Sequence, residues 1–395
     1  MTALDSVLVV GASLAGHATA RALRQQGFDG RLTLVGAEPE RPYDRPPLSK
    51  EFLAGSLGEE HLHLEPPGES LDAEWLLGVR AEALDAHTRT VTLSDGSARS
   101  ASAIVIATGS TARSLPTELA GVHTLRTLPD ARALQADLVP GARLVVVGAG
   151  FVGAEVAATA HSLGLDVTVV EAAPAPLSRQ LGVEMGGAVA GLHAAHGVPL
   201  LCDAAVTGLV GHQRVEAVAL ADGRLLPADV VLVGIGASPA VEWLRTSGID
   251  LSHGVVCDTR GAAGAPGIWA VGDCSAWYDP VLRRPNRIEH WTESRERPAH
   301  AVRALLGGHP GHSSVADRTP LRAPYFWSDQ YGVRIQFAGQ REESDRLVIE
   351  DGSPDDADVL ATWHRDGAMT AVLGLNQTRA FARLRKSLGR LPVAA

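Results

Sequence analysis

Val7-Leu8-Val9-Val10 runs into Gly11-Ala12-Ser13-Leu14-Ala15-Gly16, and far along the chain Leu144-Val145-Val146-Val147 runs into Gly148-Ala149-Gly150-Phe151-Val152-Gly153. Each stretch reads as an apolar strand that turns on glycine into a helix, a geometry that brings backbone N–H groups and a helix N-terminus up to a pyrophosphate. One such loop is a weak signal. Two of them predict a protein that holds two dinucleotides at once, and the usual reason to do so is to pass electrons between them.

The repeat extends past the glycines. Asp95-Gly96 is a turn signal followed by the apolar run Ala103-Ile104-Val105-Ile106-Ala107-Thr108-Gly109, and Asp222-Gly223 is followed by Ala228-Asp229-Val230-Val231-Leu232-Val233-Gly234-Ile235-Gly236. The turn glycine and the closing glycine are 13 residues apart in both copies. Glycine clusters match by chance; a glycine loop, an acid, a turn and a closing strand in the same order do not, so a duplicated unit is expected.

A chain of 395 residues exceeds the size at which one core keeps growing, so two or three domains are expected. With 45% hydrophobic and 20% charged residues it reads as a soluble globular protein, and no apolar run approaches the ~18 residues that span a bilayer. Few residues precede the first strand, so no signal peptide is expected and the cytoplasm is the expected compartment. The net charge of −10 argues against nucleic acid as a partner. Cys202, Cys257 and Cys274 are far apart and form no C-x-x-C pair, which disfavours a disulfide framework, a zinc site and a dithiol relay; small buried residues are the plainer reading. Lysine occurs only at Lys50 and Lys386, the other basic residues being arginine. Lys50 is thus either compositional accident or a place for a compact ammonium beside a reacting centre.

Along the chain, strands are expected at 6–10 and 31–36 around a helix at 14–26, with Glu38 after the second strand placed to accept ribose hydroxyls. The second unit repeats this with a strand at 143–147, a helix at 152–163 and a strand at 166–170 ending at Glu171, which lies 21 residues after Gly150. That is the spacing of the ribose-binding acid, and a carboxylate there repels a ribose phosphate; no basic residue follows until Arg179, so NADH is expected over NADPH. Pro116 and Pro140 flank a helical stretch and Gly236-Ala237-Ser238-Pro239 follows the second closing strand, placing boundaries near 112 and 240. Gly267-Ile268-Trp269-Ala270-Val271-Gly272-Asp273 reads as a further buried strand that completes the first unit. After Pro320 the pattern changes to antiparallel alternation, in Phe326-Trp327, Gly332 to Phe337 and Val372-Leu373, with a basic helix at 379–389.

These residues resemble the FAD-dependent pyridine nucleotide oxidoreductases, and within them the oxygenase-coupled NADH:ferredoxin reductases, the putidaredoxin reductase group. The resemblance runs over essentially the whole chain. It is carried by Arg45-Pro46-Pro47-Leu48-Ser49-Lys50, Ala107-Thr108-Gly109, the second glycine loop with Glu155, Gly272-Asp273-Cys274, Arg287-Ile288-Glu289-His290-Trp291 and, most specifically, Tyr325-Phe326-Trp327-Ser328-Asp329-Gln330-Tyr331. The implied fold class is α/β, with two Rossmann-like domains, one inserted in the other, and a C-terminal α+β domain with an antiparallel sheet. The implied domains are an FAD-binding domain at 1–112 and 241–319, an NAD-binding domain at 113–240 and a C-terminal domain at 320–395.

By the same resemblance, Gly11, Ser13, Ala15 and Gly16 hold the FAD pyrophosphate and Glu38 its ribose, with Ser13 standing where the general fingerprint has glycine. Arg45, Lys50, Ala81, Thr108, Gly109, Arg113, Arg126, Gly272, Asp273, His290, Trp291 and Trp327 fall at cofactor positions, Asp273 on the ribityl chain. A solvated surface arginine is the competing reading for Arg113 and Arg126. NADH is implied to lie across Gly148, Gly150, Phe151, Val152 and Gly153, near Arg179 and Gly236, with Glu171 on its ribose. The catalytic residues implied are Lys50, Glu155 and Glu289: Glu155 pairs with Lys50, whose ammonium stabilises charge on the reduced ring, and Glu289 places the nicotinamide. For Glu155 a favourable place at a helix N-terminus competes.

The implied reaction moves hydride from NADH to FAD and then single electrons to an iron-sulfur ferredoxin, of 2Fe-2S or 3Fe-4S type, that serves an oxygenase. No membrane or metal role is expected. Related disulfide reductases place a cysteine pair where this chain has Pro46-Pro47-Leu48-Ser49-Lys50-Glu51, so electrons are expected to leave at the flavin edge, with Phe326 and Trp327 covering it; core packing competes for Phe326. Arg283, Arg284, Arg287, Arg295, Arg297 and Arg303 form a candidate docking face for an acidic ferredoxin, with a solvated surface as the plain alternative. Two other functions stay open: a reductase for rubredoxin or another acceptor, and a flavin redox sensor related to apoptosis-inducing factor.

Overall fold

The computed structural model describes residues 4–66, 68–307 and 322–388. The chain divides into two compact units: 1–44 with 62–111 and 238–321, and 45–61 with 112–237 and 322–395. The expected limit between residues 319 and 320 lies outside the described residues.

In the first unit, Ser-Val-Leu-Val-Val of strand Ser6–Val10 is buried along its whole length, as a central parallel strand must be when both faces are covered. Arg31–Gly36 pairs with it on one side and Ala103–Ile106 on the other, all parallel, with Val10 opposite both Val35 and Ile106. Glu74–Leu77 and Ile268–Ala270 complete five strands, so the run at 267–273 does close the first unit. The second unit repeats this order: Arg143–Val147 sits between Asp166–Val170 and Val230–Val233, with Leu200–Leu201 and Val122–His123 outermost. Each unit also carries a three-stranded antiparallel sheet between its second and closing strands, at 81–100 and at 206–227, and the Asp-Gly turns lie in these sheets.

The C-terminal segment forms a five-stranded antiparallel sheet built from Tyr325–Gln330, Val333–Gly339, Arg346–Ser353, Asp358–Arg365 and Ala368–Leu375. Its inner face packs on the helix Ser178–Ala195, with Phe337, Trp363 and Leu373 against Leu181, Met185 and Val189. The closing helix runs Thr378–Arg385, shorter than the expected span, whose last residue lies outside the described residues.

Candidate active site

The two glycine loops have the same internal construction. Gly11 donates its N–H to the Val35 carbonyl and Gly148 to that of Val170, each at 2.7 Å. A side chain on Gly11 would collide with the Ala107 carbonyl and one on Gly148 with that of Gly234; both take positive φ, +114° and +101°. Gly16 and Gly153 are packed equally tightly against the carbonyls of Gly11 and Gly148. The helices Leu14–Gln25 and Phe151–Ser162 are thereby backed directly onto their loops, so their first N–H groups, which have no partner within the helix, lie at the loop mouth. Gly150 is different: among the described residues nothing lies within 4 Å of the place a Cβ would take, and its backbone is ordinary. The first and third glycines serve packing, and the middle one leaves room for a ligand.

In the first unit, Glu38 follows its strand and accepts a hydrogen bond from the Tyr43 hydroxyl. Gly272, at φ +72°, has only 2.8 Å between its Cβ position and the Ala15 methyl, so the Gly272–Cys274 turn is held against the glycine-loop helix. Asp273 is thus brought beside the loop, buried, with its carboxylate accepting from Ser294 at 3.1 Å and Ser110 at 3.3 Å. Thr108 donates to the Ala240 carbonyl at 2.8 Å, Gly109 takes φ +69°, and Ala81 is buried at the start of its strand. Trp291 donates its indole N–H to Asp44 at 2.6 Å. Burial pushes His290 down to about 4 despite the pull of Asp273, so this imidazole is neutral at pH 7.

In the second unit, Glu171 turns back on the loop. Its two carboxylate oxygens accept the N–H groups of Ala149 at 2.7 Å and Ala173 at 2.8 Å, which pins a negative charge at the end of the second strand. Gly236 takes φ +98°, opens onto empty space, and accepts the Arg113 N–H at 2.9 Å. The Arg45 guanidinium donates to the Arg126 carbonyl, while Arg179 is exposed at the start of its helix and Val152 is 40% exposed. Phe151 packs on Phe326, ring centroids 4.4 Å apart.

The segment 45–61, which lies between two pieces of the first unit in sequence, belongs to this second unit and carries Lys50 to Glu155. The ammonium meets the carboxylate at 2.8 Å, both groups largely out of solvent. The same carboxylate oxygen accepts from Ser49 at 2.5 Å and the other from Ser328 at 2.8 Å; Gln330 in turn donates to Ser328 at 3.1 Å. Glu155 is therefore a buried carboxylate with three donors; it lies beyond the first turn of Phe151–Ser162, which holds no acid, so the expected favourable place at the helix N-terminus is not where it stands. The expected pairing with Lys50 is present. Ser49, Ser328 and Gln330 were not singled out from sequence, although all stand inside quoted motifs and the last two share one strand face by their i, i+2 spacing.

The other expected side chains divide between surface and core. Glu289 is ion-paired with Arg287, so its carboxylate is engaged within the first unit. Phe326 is a core residue: it is buried and stacked on Phe337 at 5.1 Å, which decides for packing. Trp327 is on the opposite, partly exposed face, stacked on Tyr325 at 5.9 Å with Arg334 over it. Arg297 is buried and bound to Glu293 at 2.6 Å, which removes it from any docking face; Arg283, Arg284 and Arg295 are exposed. The cysteines are unpaired, and burial pushes the Cys257 and Cys274 thiols up, away from reactivity. Among the described residues no group of side chains could hold a metal ion, and no helix is long and apolar enough to cross a membrane.

Two glycine-loop units in tandem define an α/β oxidoreductase of the two-dinucleotide class. Comparison with known proteins is specific: residues 5–304 match the model of the pyridine nucleotide-disulphide oxidoreductases and 325–391 that of the reductase C-terminal domain. The chain is 39% identical to the ferredoxin reductase component of chlorobenzene dioxygenase from Cupriavidus sp. (strain PS12), covering 95% of this chain and 90% of that one. It is 38% identical to the ferredoxin--NAD(+) reductase subunit of the benzene 1,2-dioxygenase system of Pseudomonas putida, covering 96% and 91%. The reductase in the crystal structure of the covalent putidaredoxin reductase-putidaredoxin complex superposes with a TM-score of 0.92 at 33% identity, over 99% and 95% of the two chains. The chain belongs to the pyridine nucleotide-disulphide oxidoreductase family, whose cofactors are FAD and NAD(H). Its residues fit both groups: each loop has the packed outer glycines a pyrophosphate cradle needs, Gly150 faces empty space, and pinned or buried carboxylates stand beside each loop.

Proposed function

We propose that this chain is an NADH-dependent flavoprotein reductase that passes electrons singly to an iron-sulfur ferredoxin serving an oxygenase. The observation that carries the reading is the buried Lys50–Glu155 pair in a chain with two dinucleotide cradles and no cysteine between Pro46 and Glu51. FAD, when bound, supplies the conversion between a two-electron hydride and one-electron steps. The remaining work falls to side chains. The N–H groups behind Gly11, Ser13, Ala15 and Gly16 hold one pyrophosphate, Glu38 the ribose and Asp273 the ribityl hydroxyls, while Arg45, Arg113 and Arg126 offset phosphate charge. Gly148, Gly150, Phe151, Val152 and Gly153 hold NADH, and the fixed charge of Glu171 accepts its ribose hydroxyls and repels a 2′-phosphate. With both cofactors bound, the Lys50 ammonium would stabilise negative charge on the reduced ring, Glu155 would keep the ammonium in place, and Glu289, with Arg287, would orient the carboxamide.

The domain division follows the same reading: FAD on 1–112 with 241–319, NAD on 113–240, and a C-terminal domain from 320. Trp327 would cover the flavin edge at which electrons would leave. Arg283, Arg284, Arg295 and Arg303 supply the basic face for an acidic ferredoxin of 2Fe-2S or 3Fe-4S type, and the compartment is the cytoplasm. Anaerobic mixing of the yellow holoprotein with NADH, followed by cytochrome c reduction with and without ferredoxin, tests it. Fast bleaching by NADH, slow bleaching by NADPH and strong dependence on ferredoxin are expected. Ferredoxin-independent turnover would point to another acceptor, and slow turnover with a long-lived charge-transfer band to a redox sensor.

A further inference from the structure

The strand Tyr325–Gln330 divides its side chains between two faces. Tyr325, Trp327 and Asp329 are partly exposed, whereas Phe326, Ser328 and Gln330 point inward, and the last two are fully buried. A buried serine and glutamine inside an apolar core need a reason, since each hydroxyl or amide without partners there costs stability. Their hydrogen bonds supply it. The Gln330 amide nitrogen is 3.1 Å from the Ser328 hydroxyl oxygen, and an amide N–H only donates. Ser328 therefore accepts from Gln330, and its single hydrogen is directed to Glu155 Oε1, 2.8 Å away. Turning the amide over would place an acceptor against Ser328 and draw that hydrogen off the carboxylate. The orientation present does the opposite, even though it leaves the buried Gln330 Oε1 without a hydrogen-bond partner among the described residues.

On the other side, Ser49 donates to Oε2 at 2.5 Å beside the Lys50 ammonium at 2.8 Å. Ser49 is itself anchored through its carbonyl, which accepts from Thr159 at 2.8 Å, one helical turn beyond Glu155. The carboxylate is thus clamped from both edges, by neutral hydroxyls on two different elements, and cannot rotate without breaking a charge-assisted hydrogen bond.

We propose that Ser328 and Gln330 are positioning residues for hydride transfer, forming a directed relay that fixes the plane of the Glu155 carboxylate and through it the Lys50 ammonium. The proposal rests on the reading of Lys50 and Glu155 as the pair that acts on the flavin. Small misplacements of such groups lower rates steeply while substrate binding is little changed. The test is a double-mutant cycle on the FAD-loaded protein with Ser328→Ala, Glu155→Gln and the pair combined, measured by anaerobic stopped-flow reduction with NADH and by the midpoint potential of the bound flavin. Ser328→Ala is expected to slow flavin reduction about 5–10-fold at saturating NADH, with the NADH dissociation constant within about 2-fold. The potential should rise, because a displaced carboxylate neutralises Lys50 less well, and Glu155→Gln should raise it further. The combined variant should match Glu155→Gln alone in both measurements. Gln330→Met should reproduce a weaker Ser328→Ala.

If Ser328→Ala reduces at the wild-type rate and potential while Glu155→Gln is slow, the relay assignment fails and the underlying reading stands. Additive effects in the combined variant would likewise sink it, as a merely structural serine would act independently of Glu155. If Glu155→Gln itself reduces normally, the reading beneath the proposal is the one that falls.

Discussion

Three glycines within six residues of one loop should respond to the same mutation in three separable ways. Alanine at Gly153 would bring its methyl far inside the 3.0 Å limit for Cβ approach to the Gly148 carbonyl, so the helix Phe151–Ser162 must lift from the strand beneath it. Overpacking of that kind costs about 1–3 kcal/mol, or roughly 3–10 °C in Tm. Alanine at Gly148 meets the Gly234 carbonyl and must also hold φ +101°, which adds about 1–3 kcal/mol of backbone strain. Alanine at Gly150 meets nothing, at φ −73°, and the change at a helix N-cap is worth less than about 1 kcal/mol. On the proposed reading its methyl would instead occupy the space where the backbone approaches the NADH pyrophosphate. Losing one or two charge-assisted hydrogen bonds there, at about 1.5–3 kcal/mol each, weakens NADH by roughly 10–100-fold or more. Thermal melts and NADH titration of the holoprotein, with ferricyanide turnover as a third measure, separate the cases. A Gly150→Ala variant that binds NADH normally would refute the cradle, and one as unstable as Gly153→Ala would refute the division between packing and binding glycines.

Three further outcomes are expected. Glu171→Gln retains an acceptor for the Ala149 or Ala173 N–H but loses the charge, so the NADPH to NADH ratio of kcat/KM should rise at least about tenfold; an unchanged ratio would remove Glu171 from the ribose site. Reversing the exposed Arg283 and Arg284 to glutamate should raise the KM for ferredoxin in a salt-dependent way and leave flavin reduction by NADH unchanged; if ferredoxin turnover is also unaffected, the docking face lies elsewhere. Asp345 provides a pH test of the C-terminal sheet. Burial alone would raise its carboxyl, but Arg365, the Glu342 N–H and Thr370 together reverse that and hold it at about 2, against 3.8 for a free aspartate. A folded-state value below the unfolded one stabilises above about pH 4, by about 2 kcal/mol, and the benefit fades as pH falls toward 2. Asp345→Asn should therefore lower stability most between pH 5 and 8 by roughly that amount, with the gap to wild type narrowing in urea melts below about pH 4; a gap that is constant with pH would contradict the assignment.

What could be read from the residues was what local geometry dictates. A strand that must turn on a positive-φ glycine and then back a helix against that turn has few sequence solutions, and so Gly11, Gly16, Gly148 and Gly153 announce both folds before any contact is known. The equal 13-residue offset from turn to closing glycine worked for the same reason, because a three-stranded antiparallel sheet and a returning parallel strand set the length of chain between them. Pairings that depend on the path of a long connection were not legible from composition or spacing. Only resemblance linked Lys50 to Glu155, and no local rule says that 45–61 departs from the unit on either side of it. Face assignment was the other weak point: Phe326 and Trp327 are equally aromatic neighbours, yet strand alternation sends one into the core and leaves the other at the surface. That alternation also explains the overlooked residues. Once Phe326 is inside, Ser328 and Gln330 must be inside too, and two buried polar side chains on an apolar face have to be spent on a partner, which here is the one carboxylate that already holds Lys50.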